Sequence, residues 1–90
     1  MTQSNQDGLL SFDPLQVWTT YDLGVSAALT CAGFELLQVE KSNPRKALFV
    51  FRRADGIDET ADQYFADRLE LKARAYFDAI KALKNRLYSE

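Results

Sequence analysis

The sequence predicts an α+β domain: one buried helix, an antiparallel β-hairpin and two C-terminal helices. Three observations predict it. Between Thr19 and Arg53 a helix start, an almost wholly apolar helix, a glycine stop and two strand-like runs follow one another with no linker. A second acidic helix start lies near Asp58, and a long stripe of helical period runs from Ala73 to Leu87. At 90 residues and 47% hydrophobic, the chain can build one core, so residues 18–90 are expected to form a single domain behind a tail and docking segment at 1–17.

Within that first segment, residues 1–8 are polar and read as a disordered tip. Residues 9–17 are apolar but interrupted by the turn signal Asp13-Pro14. Thr19 or Thr20 is the expected cap of helix one, with Asp22 placing negative charge at the positive end of the macrodipole. The helix is expected from about Tyr21 to Ala32, closed by Gly33. Asp22, Ser26 and Thr30 form its single polar stripe, so it must be buried on more than one side. Gly24, Ala27, Ala28 and Ala32 permit close approach of neighbouring backbone.

Residues 34–40 and 46–52 read as two antiparallel strands joined by a turn containing Asn43-Pro44. Leu48 and Val50 alternate with Ala47, Phe49 and Phe51, so both faces of the second strand are apolar and something must cover the second one. The 9–18 segment, a C-terminal helix and a second copy of the chain are the three candidates. A short helix is expected over about Ile57 to Ala66, capped by Asp55 or Asp58, and Leu69 to Leu71 reads as a bend or a short third strand. The last helix, about Lys72 to Tyr88, sets Ala73, Tyr76, Ile80, Leu83 and Leu87 on one stripe, with Arg74, Asp78, Lys81 and Asn85 turned away.

Charge is arranged in blocks. Residues 1–40 hold five acids and no base, 41–53 five bases and no acid, 54–67 five acids, and 68–90 six bases with three acids. A net charge of −2 argues against a general nucleic-acid coat, yet a local basic patch can still act as an electrostatic footprint. The chain contains no histidine, which excludes the usual zinc ligands and a histidine-containing triad. Its four glycines are scattered, so no phosphate loop exists. No cofactor is implied. With no apolar stretch near ~20 residues and no signal-like start, the expected setting is cytoplasmic, without membrane contact.

Cys31 lies at the C-terminal end of helix one, away from any helix N-terminus and with no histidine partner, so it reads as a structural buried thiol. Asp55, Asp58, Glu59 and Asp62 have the spacing of an acidic helix start and lack that of a metal loop. The string from Arg45 to Arg52 places basic residues beside Phe49 and Phe51, as in sheets that stack bases, but a period of two makes these rings core residues first. The candidate ligand-binding patch is Lys41, Arg45 and Lys46 at the hairpin tip, joined by Arg52 and Arg53 at the other end of the strand and by Lys81 and Lys84, beside Tyr88, on the last helix. The competing reading is a solvated turn and a charged strand edge that discourages aggregation. The expected function is a non-catalytic interaction module for nucleic acid or an acidic protein; the alternative is a structural or regulatory homodimer.

Several short patterns recur together: Thr20-Tyr21-Asp22-Leu23 with Ala27-Ala28-Leu29, Ala32-Gly33-Phe34, Leu48-Phe49-Val50-Phe51, Tyr64-Phe65, and Tyr76-Phe77 with Lys81, Leu83-Lys84 and Tyr88. On these, residues Thr19 to Tyr88 resemble a small domain family of unknown function found in phage, bacterial and archaeal genomes. The resemblance implies a stand-alone accessory protein of mobile-element origin and brings no catalytic residue with it.

Overall fold

The computed structural model describes residues 12–43 and 45–89. After a 3-10 turn at Pro14–Gln16 come strand β1 (Val17–Thr20), helix α1 (Leu23–Cys31), strands β2 (Leu36–Glu40) and β3 (Leu48–Arg52), and helices α2 (Ile57–Phe65) and α3 (Ala73–Tyr88). The sheet is antiparallel throughout in the order β1-β3-β2. The fold is α+β, and the apolar strand is its centre.

The third strand is Val17–Thr20, whereas Leu69 to Leu71 is irregular. Its four residues are β-branched or aromatic and suit a pleated surface, but they are too few to show a period before the helix begins. Residues 17 and 18 therefore enter the sheet beside β3 instead of lying across it, while residues 1–11 are outside the described part. Trp18 pairs with Phe51 and meets its ring edge-on, centroids 6.3 Å apart. On the same face Phe49 and Phe51 pack with Val25, Leu29, Ile57, Ala61 and Leu83 of the three helices. Val17 and Val50, on the opposite face, are buried as well.

Asp22, not Thr19 or Thr20, caps α1: its carboxylate accepts from the Val25 N–H at 2.8 Å. Thr20 instead accepts from the Asp22 N–H, because β1 holds its backbone in the sheet. The polar stripe turns inward on its own helix. The Ser26 hydroxyl donates to the Asp22 carbonyl and the Thr30 hydroxyl to the Ser26 carbonyl, which lets Ser26 be completely buried. At the other end Gly33, at φ 103°, closes a Schellman motif in which Phe34 N–H donates to Leu29 and Gly33 N–H to Thr30.

Helix α2 starts at Gly56 in the left-handed region with no side-chain cap, so neither Asp55 nor Asp58 serves that role. Asp58 lies inside the first turn and its carboxylate is taken by Arg53. The α2 end repeats the Schellman pattern with Asp67 at φ 62°, a conformation that aspartate tolerates. Gly24 marks the crossing of α1 with α2 and α3. A Cβ there would overlap the Tyr64 hydroxyl, and the Tyr76 hydroxyl donates to the Gly24 carbonyl at 3.2 Å.

A candidate basic and aromatic groove

The β2–β3 turn is organised by Asn43, whose side chain accepts from the Arg45 N–H at 2.8 Å while its carbonyl accepts from Lys46. This bends the tip over the start of α1 and the end of α3. A groove of about 480 Å³ results, lined by Tyr21 and Leu23, by Lys41, Asn43, Arg45, Lys46, Ala47 and Phe49 of the hairpin, and by Leu87 and Tyr88. No carboxylate is among the described residues that line it.

Each tip cation has a different situation. The Lys41 ammonium donates to the carbonyls of Arg86 and Ser89 at 3.0 and 3.2 Å, capping the negative end of α3 and tying it to the hairpin. Lys46 sits over the Tyr21 ring, 4.6 Å from its centroid, a cation–π contact. Arg45 is exposed and makes no ion pair among the described residues.

Arg52 and Arg53 stand at the opposite end of β3 and are not brought to the groove. Arg52 binds Glu35 at 2.8 Å, and that hydrogen bond raises its pKa further. Arg53 binds Asp58 at 2.6 Å, and its guanidinium holds the Asp58 carboxyl below the ordinary range, with a smaller contribution from Trp18. Lys81 and Lys84 are exposed on α3 outside the groove, with the Lys81 ammonium 5.4 Å from the Phe77 ring centroid. Cys31 is half-buried at the end of α1 instead of buried in it. Phe49 and Phe51 are at most 1% exposed, so these rings are unavailable for stacking bases.

Tyr21, on sequence the first residue of helix one, lies ahead of the Asp22 cap, 58% exposed, with its ring on the groove. No local signal marks it, because the Lys46 that covers it comes from the hairpin loop ahead of β3, folded back across the chain. A smaller hollow of about 220 Å³ lies between Tyr64, Asp67, Leu69, Leu71, Ala73 and Tyr76. There burial, helped by the Tyr64 hydroxyl, pushes the Tyr76 pKa up to about 12.

Among the described residues, three helices and one three-stranded antiparallel sheet define a small α+β domain, and no helix is long and apolar enough to cross a membrane. The chain belongs to the family described as a domain of unknown function (DUF5659), whose model matches residues 16–89. The matched span begins one residue before β1 and so includes the whole sheet. No curated protein and no solved structure matches the chain.

Proposed function

We propose that the protein is a non-catalytic interaction module that binds nucleic acid through the hairpin-tip groove and the adjoining end of α3. The observation that carries this is the groove itself: Arg45 and Lys46 stand beside Tyr21 and Tyr88 with no carboxylate among the described lining residues. Such a surface offers charge to phosphates and rings to bases. It offers little of the usual equipment for catalysis, since the chain has no histidine and no carboxylate is among the described residues that line the groove. The setting we propose is a cytoplasmic accessory protein of phage or other mobile-element origin.

The test is a purification at low salt, monitored for retained nucleic acid by ultraviolet absorbance, followed by a binding screen. At ~50 mM salt the protein should bind labelled DNA or RNA with an affinity that falls steeply as salt rises. Absence of binding at that salt would remove the reading, and binding to polyglutamate alone would replace nucleic acid by an acidic protein. A second reading, a structural or regulatory homodimer, is supported by Leu15, 81% exposed next to the edge strand β1. Light scattering that gives a monomer at high micromolar concentration would exclude it.

A further inference from the structure

We infer that the ligand is single-stranded nucleic acid, led out of the groove along an exposed stripe of α3 formed by Phe77, Lys81, Lys84 and Tyr88; this rests on the reading of the groove as a nucleic-acid site. The four residues are spaced by four, three and four. At 3.6 residues per turn they fall within an arc of roughly 60° and span about 16 Å of helix. Each follows a residue of the inward stripe, Tyr76, Ile80, Leu83 and Leu87, by one position, so the two stripes run side by side and the outer one is not needed for the core.

The aromatic residues on this stripe are conspicuously unburied: Phe77 is 56% and Tyr88 81% exposed. Lys81 and Lys84 stand between them, and Tyr88 also lines the groove with Arg45 and Lys46, which makes track and groove continuous. The one carboxylate within α3, Asp78, faces Arg74 at 3.7 Å. Alternating rings and cations suit a strand whose bases are free to stack and whose phosphates follow alongside. A duplex hides its base faces, so the two rings would have nothing to stack on. The track length suits a short site, on the order of four nucleotides, the lower end for single-strand binders.

The experiment is fluorescence anisotropy with labelled twelve-nucleotide single-stranded DNA, the matching RNA and the DNA duplex at low salt. At least one single strand should bind more tightly than the duplex. Phe77→Ala and Tyr88→Ala should each weaken that binding about five-fold or more, while Phe77→Tyr, which keeps a ring, should not. Lys81→Gln and Lys84→Gln should each flatten the salt slope by about 0.7. Duplex binding equal to or tighter than both single strands overturns the inference, as does unchanged affinity in both alanine variants. If Arg45→Ser with Lys46→Ser abolishes binding while the α3 variants do not, the groove stands and the track falls. If the wild type binds no nucleic acid, the groove reading fails and takes the track with it.

Discussion

The two ends of β3 begin from the same chemistry and finish in opposite states. Lys41, Arg45 and Lys46 lie at one end and Arg52 and Arg53 at the other, within a single acid-free block of the sequence. At the open end both arginines meet carboxylates brought from β2's approach and from α2, Glu35 and Asp58. At the tip no carboxylate lines the groove among the described residues; one lysine caps a helix, one covers a tyrosine and Arg45 is left in solvent. A basic run is thus two surfaces, and tertiary partners decide which of its cations are held in ion pairs.

A packed strand holds the two ends apart, and the largest expected effect comes from breaking it. Phe51→Ala removes a fully buried ring that packs against Trp18, and should lower unfolding free energy by ~3–5 kcal/mol in chemical denaturation. A loss below ~1 kcal/mol would mean that the centre is not packed as described. Next comes the hinge that delivers Glu35. Gly33 has open space around its missing Cβ, so Gly33→Val should cost about 1–2 kcal/mol through its left-handed backbone alone. Thermal melts check this, and wild-type stability would refute the helix stop.

The Tyr76 hydroxyl docks α3 on α1 and so fixes where Tyr88 meets the tip. Losing its hydrogen bond in Tyr76→Phe should cost roughly 0.5–1.5 kcal/mol near neutral pH. Its pKa is raised from 10.0 to about 12, so the folded state holds the proton longer than the unfolded chain. The stabilisation is complete below pH 10.0 and is lost as pH rises towards about 12. Alkaline unfolding of Tyr76→Phe should therefore lack part of the decline seen in the wild type.

Lys41→Met keeps the aliphatic stem but removes the cap on α3, an expected loss of about 0.3–1 kcal/mol, with faster hydrogen exchange in the last turn. Unchanged exchange there would detach the tip from the helix. The smallest effect belongs to the open end. Arg52→Gln with Arg53→Gln should leave ligand affinity and its salt slope at wild-type values, because these cations already have partners. Asp58 has a depressed pKa, so its contribution is present above the ordinary value of 3.8 and disappears as pH falls through the folded value. Acid unfolding of Arg53→Gln should be shallower for that reason. A weakened affinity in the double variant would merge the two ends into one site.

Local chemistry made much of this protein legible in its sequence. The Schellman end of α1 follows from glycine's access to positive φ, the length of α3 from its period, and the burial of β3 on both sides from the apolar residues on each of its faces. The polar stripe of α1 also marked a buried helix, because serine and threonine can return their hydroxyls to the preceding turn. Only the tertiary structure decided the third strand, since four residues at an edge become a strand by pairing with β3 and carry too little pattern of their own. It also decided what each cation touches. Charge in a sequence is counted by neighbours along the chain, whereas Glu35, Asp58, the α3 carbonyls and Tyr21 reach their cations through space.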